Sequence, residues 1–105
     1  MLRNLFIKPD FDGLLQDYKN NPEALLIDVR EIDEYKQGHV PDSINVPLSQ
    51  IEKINDIVKE KDKPLYIYCL AGSRSMQAHN YLKSNGYTNV INLGGINNYH
   101  GEREK

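Results

Sequence analysis

Two short, nearly continuous apolar runs constrain the fold of this chain more than any other feature. Residues 25–29 (Leu-Leu-Ile-Asp-Val) and 65–69 (Leu-Tyr-Ile-Tyr-Cys) each follow closely after a proline, Pro22 and Pro64 respectively. Apolar runs of this length with little polar alternation are typical of strands that are buried on both faces of a parallel sheet. We therefore predict that both segments are central, parallel strands.

Other candidate strands and helices alternate with these two runs. Further strands are predicted at 43–46, at 89–93 and, at an edge of the sheet, at 5–7. Three helices are predicted from apolar stripes at helical spacing: Phe11, Leu14, Leu15 and Tyr18; Leu48, Ile51, Ile54, Ile57 and Val58; and Met76, Ala78, Tyr81 and Leu82. The alternation predicts a three-layer α/β fold, in which helices cover both faces of a mainly parallel sheet of about five short strands.

Composition and charge exclude several classes of protein. With 105 residues, 39% of them hydrophobic, the chain is expected to form one domain spanning residues 1–105. Its apolar runs are too short to span a membrane, and a formal net charge of −2 argues against nucleic acid as a partner. With one cysteine the chain cannot form an internal disulfide. Its three histidines are too dispersed to predict a metal site. The N-terminus does not have the pattern of a signal peptide, so we expect a cytoplasmic protein.

The single cysteine, Cys69, lies where parallel α/β proteins bind their ligands. It ends a predicted strand, and ligands bind beyond the carboxyl ends of such strands. Residues 70–75 (Leu-Ala-Gly-Ser-Arg-Ser) then lead through a tight loop into the third predicted helix. Loop amides and a helix N-terminus together favour bound anions and lower the pKa of a cysteine. A packed, inert cysteine is the alternative, but Gly72 and Arg74 in this loop favour a reactive thiolate.

Five segments in order resemble the rhodanese-like sulfurtransferase domains. The segments are Leu-Ile-Asp-Val-Arg-Glu at 26–31, followed by Glu34 and Tyr35; Gly-His-Val-Pro-Asp-Ser-Ile-Asn-Val-Pro at 38–47; Cys-Leu-Ala-Gly-Ser-Arg-Ser at 69–75; Gly-Tyr at 86–87; and Val-Ile-Asn-Leu-Gly-Gly at 90–95. They cover most of the chain. The family usually has a tryptophan shortly after the last of these segments, where this chain has Tyr99.

The resemblance implies a sulfurtransferase that needs no cofactor. Cys69 would take a sulfane sulfur from thiosulfate or a persulfide, carry it as a persulfide, and pass it to cyanide or a thiol. The residues implied to bind the sulfur-bearing anion are Leu70, Ala71, Gly72, Ser73, Arg74 and Ser75. Arg30 and Asp28, at the end of the first strand, are candidate supporting residues. Thioredoxin and a cysteine desulfurase are candidate protein partners.

Several points stay open from the sequence. Arg30 either helps to hold an anionic donor or pairs with a nearby carboxylate, Glu31, Asp33 or Glu34. Leu70 stands where the family often has a polar or basic residue, which leaves open whether thiosulfate is a good donor. The four residues between Cys69 and Arg74 resemble the sulfurtransferase loop; related phosphatases and arsenate reductases have one more.

Two other functions fit the same sequence. One is a non-catalytic rhodanese-like interaction module, and the other is a redox-sensing thiol protein. The last residues, 102–105 (Glu-Arg-Glu-Lys), are expected to be a solvated end.

Overall fold

Parallel strands form the central sheet. The computed structural model describes residues 10–105, in which β1 (Leu25–Asp28), β2 (Ile44–Asn45), β3 (Leu65–Cys69) and β4 (Val90–Gly95) pair in the order β2-β1-β3-β4. All three pairings are parallel. The predicted fold class is confirmed, but within residues 10–105 the sheet has four strands rather than about five. The edge strand predicted at 5–7 lies outside the described residues.

The helices agree with the predicted stripes in two cases and differ in the third. They are α1 (Phe11–Lys19), α2 (Ile32–Lys36), α3 (Ile54–Ile57) and α4 (Ser73–Ser84), with 3₁₀ helices at Leu48–Lys53 and Ile96–Asn98. The stripe at 48–58 predicts one helix, but the backbone kinks at Gln50 (φ −123°) and Val58 is already extended. Helix α2 is not predicted from the sequence, because five residues are too few to show helical periodicity.

Side chains from the two faces of the sheet build two separate hydrophobic clusters. On one face, Ile27 and Ile67 pack with α3 and α4. On the other, Leu26 and Tyr68 pack with Phe11 of α1. This division follows from strand geometry, since successive side chains point to opposite faces. The prediction of helices on both faces is therefore confirmed, and the carboxyl end of β3 is held between two packed layers.

The C-terminal segment is exposed, as expected of a solvated end, but its backbone pairs with the body of the domain. The backbone N–H of His39 donates to the carbonyl of Glu104 at 2.8 Å, and the N–H of Glu104 donates to the carbonyl of His39 at 2.9 Å. The side chains of residues 101–105 stay exposed. Within residues 10–105, no helix is long and apolar enough to cross a membrane.

Candidate active site

The fold places Cys69 on the last position of β3, immediately before the N-terminus of α4. Its side chain is 1% exposed and joins the cluster on the α4 face of the sheet. Gly72 is the N-cap residue of α4 and has a left-handed backbone (φ 114°), which favours glycine. The loop therefore turns sharply back over the cysteine, as the sequence predicts, and brings the start of a twelve-residue helix to the thiol.

Two hydrogen-bonding groups contact the cysteine sulfur. The backbone N–H of Gly72 donates to Sγ at 3.0 Å, and the hydroxyl of Ser75 lies 3.4 Å from it. Ser75 is fully buried, and its hydroxyl also lies 3.0 Å from the carbonyl of Gly72. With a protonated thiol the hydroxyl can donate to that carbonyl, and with a thiolate it can donate to sulfur instead.

These contacts favour the thiolate. Burial acts to raise the pKa of the Cys69 thiol, but hydrogen bonds from the Ser75 hydroxyl and from the amides of Ser75, Gly72 and Arg74 outweigh it, so the pKa lies below its ordinary value. Hydrogen bonds to the charged form of a group, together with a helix N-terminus, have this effect generally. Cys69 is therefore a buried sulfur poised for ionisation.

Gly95 makes the close approach of the loop possible. It pairs with Cys69 across the β3–β4 ladder. A Cβ atom built on Gly95 would overlap the carbonyl oxygen of Leu70 and lie 2.6 Å from the Cα of Ala71. Real Cβ atoms do not approach backbone atoms so closely, so only glycine fits without moving the loop. In the sequence this glycine ends the family segment at 90–95, with no local signal of its packing role.

Arg74 is held by a carboxylate that sequence reasoning did not place in the site. Its guanidinium makes two hydrogen bonds to Glu34 of α2, at 2.6 and 3.0 Å. The Arg74 guanidinium holds the pKa of Glu34 at about 2, well below its usual range. The predicted cation beside the anion loop is therefore present, but its charge is balanced by Glu34. The pair also ties α2 to the first turn of α4.

The positive charge of Arg30 is also paired with a carboxylate inside the protein. Its side chain is buried and hydrogen-bonds to both carboxylate oxygens of Asp28 at 2.7–3.1 Å, and Nη2 donates to the carbonyl of Gly38 at 2.7 Å. Burial acts to lower the pKa of Arg30, but the hydrogen bonds and charge of Asp28 outweigh it and raise the pKa. Of the two alternatives from the sequence, pairing is the one observed, with Asp28 as the partner rather than Glu31, Asp33 or Glu34.

An open cavity of about 310 Å³ lies beside the loop. The side chains that line it belong to Arg30, Glu34, Gln37, Gly38, Leu70 and Arg103. Leu70, the residue directly after Cys69, is 39% exposed there. The exposed residues of the loop are Leu70, Ala71 and Ser73, while Ser75 is buried beneath it. Among the predicted site residues, the structure thus brings Leu70 and Arg30 to one cavity, to which the exposed C-terminal segment adds Arg103.

Comparison with known proteins identifies the family. Residues 12–102 match the model of the rhodanese-like domain. The chain is 39% identical over 89 residues to a sulfurtransferase of Allochromatium vinosum (83% of this chain and 81% of the relative). It is 44% identical over 71 residues to thiosulfate sulfurtransferase PspE of Escherichia coli, and this match covers 67% of the chain and 68% of PspE. Some other relatives are longer, and the match covers 57% and 50% of two of them.

A solved structure agrees with the sequence matches. A rhodanese from E. coli, determined with anions, superposes with a TM-score of 0.73 at 38% identity, covering 78% of this chain and 98% of the other. The chain therefore belongs to the rhodanese-like domain family. The predicted family and the predicted enzyme class, a rhodanese-type sulfurtransferase, are both confirmed.

Proposed function

We propose that the chain transfers sulfane sulfur through a persulfide on Cys69. The observation that carries the proposal is the 3.0 Å hydrogen bond from the Gly72 amide to Sγ, at the N-terminus of α4. It supports a thiolate, which is the nucleophilic form of cysteine. A preorganised amide at this position also stabilises negative charge as it moves onto a second sulfur.

The first half-reaction loads the cysteine. The Cys69 thiolate attacks the outer sulfur of thiosulfate, a new S–S bond forms, and the old S–S bond breaks with its electron pair leaving on sulfite. With an organic persulfide as donor, the leaving group is a thiolate that takes a proton from water. In both cases Cys69 ends as a persulfide anion, and no external oxidant or reductant is needed.

The second half-reaction transfers the outer sulfur of the Cys69 persulfide to an acceptor. Cyanide or a thiolate attacks the outer sulfur of the persulfide, and the electron pair of the broken S–S bond returns to Sγ of Cys69. The amides of the loop 70–75 are the primary anion site in this scheme. Because Glu34 balances Arg74 and Asp28 balances Arg30, both arginines act mainly by fixing the walls of the site.

The proposal also covers the sulfur donor, the sulfur acceptor and the cellular location. Thiosulfate and low-molecular-weight persulfides are the proposed donors, and cyanide or a thiol is the proposed acceptor. PspE of E. coli, a relative, is named as a thiosulfate sulfurtransferase. A single domain over residues 1–105, a cytoplasmic location, and exchange with thioredoxin or a cysteine desulfurase stay predictions.

Thiocyanate formation from thiosulfate and cyanide tests the proposal. Wild-type protein should turn over, and Cys69→Ser, checked for folding by circular dichroism, should not. Persistent turnover in Cys69→Ser would exclude a persulfide on this residue. An inactive wild type that also fails with a persulfide donor would favour the interaction module. Formation of a sulfenic acid with peroxide, without any sulfur transfer, would favour the redox sensor.

A further inference from the structure

The cavity beside Leu70 is larger than thiosulfate requires. Its volume of about 310 Å³ lies at the low end of the range for small-molecule pockets, roughly 300–1,000 Å³. Thiosulfate has only five heavy atoms. The cavity therefore has room for the organic part of a larger sulfur compound.

Charge in this cavity comes mainly from one residue. Arg30 is paired with Asp28, and Glu34 is paired with Arg74, so these two ion pairs add little net charge. Among residues 10–105, no salt bridge involves Arg103. The first nine residues contain no Asp or Glu that could pair with it. The guanidinium of Arg103 is thus the uncompensated positive charge on the cavity wall.

Arg103 is also held in position. Its neighbour Glu104 is fixed by the two backbone hydrogen bonds to His39. Its aliphatic stem lies over Gly38, where an added Cβ would be 3.3 Å from Cδ of Arg103. One guanidinium nitrogen contacts the carbonyl of Ile96 at 3.4 Å, which is a long and weak hydrogen bond. The remaining N–H groups are left for a ligand, and a guanidinium binds a carboxylate through two of them.

We propose that Arg103 is a specificity residue that binds a carboxylate on the organic part of a persulfide donor. The proposal rests on the proposed function of Cys69 and names the substrate class of that site: a low-molecular-weight persulfide that carries a carboxylate. The outer sulfur enters the loop at Leu70 while the carboxylate contacts Arg103 across the cavity. Inorganic thiosulfate, which is too small to span both, gains nothing from Arg103.

Two donors with matched chemistry test this assignment. Glutathione persulfide carries carboxylates, and the persulfide of N-acetylcysteamine carries none. Rates of transfer to cyanide are measured with wild type, Arg103→Met, Arg103→Lys and Lys105→Gln. The methionine keeps a stem over Gly38, and the Lys105 variant removes one positive charge from the same segment without touching the cavity.

We expect Arg103→Met to lower kcat/KM for glutathione persulfide about three- to fivefold, mainly through KM, as for an exposed ion pair. Arg103→Lys should recover part of the loss. For the donor without a carboxylate, kcat/KM should change less than about twofold, and Lys105→Gln should match wild type with both donors. An equal loss with both donors, or no loss with glutathione persulfide, would overturn the proposal.

A binding measurement separates this proposal from the proposed function. S-methylglutathione, which cannot transfer sulfur, is titrated by calorimetry into Cys69→Ala with and without Arg103→Met. Weaker binding in the Arg103 variant supports the specificity role, even if no persulfide forms in the wild type and the proposed function fails. Equal binding, or no binding to either variant, contradicts the role of Arg103.

Discussion

Replacing Glu34 with glutamine should destabilise the domain in a pH-dependent way. The pKa of Glu34 falls from 4.5 to about 2 in the folded chain, and the largest cause is its hydrogen bonding to Arg74. At 1.36 kcal/mol per pKa unit, this shift corresponds to roughly 3 kcal/mol before solvent screening. Because the two side chains are 30% and 28% exposed, screening reduces the expected contribution to about 1–2 kcal/mol.

The sign follows from the direction of the shift. A carboxylate with a lowered pKa stabilises the folded state fully above its unfolded pKa, here 4.5, and the contribution is lost as the pH falls from about 4.5 towards about 2. Urea unfolding followed by circular dichroism gives the free energy of unfolding at each pH. At pH 7 the free energy of unfolding of wild type should exceed that of Glu34→Gln by about 1–2 kcal/mol, and this difference should shrink steadily below pH 4.5.

Glu52→Gln is the matched control, since Glu52 is exposed and makes no salt bridge within residues 10–105. It should leave the free energy of unfolding nearly unchanged at pH 7. If the difference in free energy of unfolding between wild type and Glu34→Gln stays constant from pH 7 to pH 2.5, the lowered pKa of Glu34 is not its cause. Equal stability of the two proteins at pH 7 would also refute the linkage argument.

Three further substitutions probe the loop. Gly95→Ala should destabilise the chain by about 1–3 kcal/mol in urea unfolding and lower sulfur transfer, because its Cβ overlaps backbone atoms of Leu70 and Ala71; wild-type stability would contradict the close packing. Ser75→Ala should raise the pH midpoint of iodoacetamide reaction at Cys69, since a hydrogen bond that lowers the thiol pKa is lost; an unchanged midpoint would exclude that role. Leu70→Lys should lower KM for thiosulfate several-fold by adding a cation beside the thiol, and an unchanged KM would contradict it.

Much of the fold follows from local sequence. The apolar runs at 25–29 and 65–69 form adjacent central strands because a run without alternation fits only a sheet covered on both faces. The placement of Cys69 before a helix also follows from local sequence, because Gly72 and an apolar stripe that begins at Met76 come directly after the strand; α4 starts slightly earlier, at Ser73. The 3₁₀ turn at Leu48–Lys53 was predicted as a regular helix, since apolar spacing does not show a kink at Gln50.

The parts of the site that the sequence does not predict depend on contacts between segments that are distant along the chain. Glu34 and Arg74 are 40 positions apart, and nothing near either residue shows that their side chains meet. Arg103 enters the cavity because Glu104 pairs with His39, a long-range backbone contact with no local signal. The double glycine at 94–95 does not show in the sequence that Gly95 packs against Leu70 and Ala71. Arg30 had several carboxylates in reach, and only the structure shows that it selects Asp28.

Intact-mass spectrometry tests the central claim most directly. Wild type is incubated with thiosulfate, or with glutathione persulfide, and its mass is recorded before and after addition of cyanide or dithiothreitol; Cys69→Ala is treated alongside. The account predicts that wild type gains the mass of one sulfur atom, loses it to the nucleophile, and that the variant gains nothing. A wild type that gains no sulfur from either donor, or an equal gain in Cys69→Ala, would contradict persulfide transfer through Cys69.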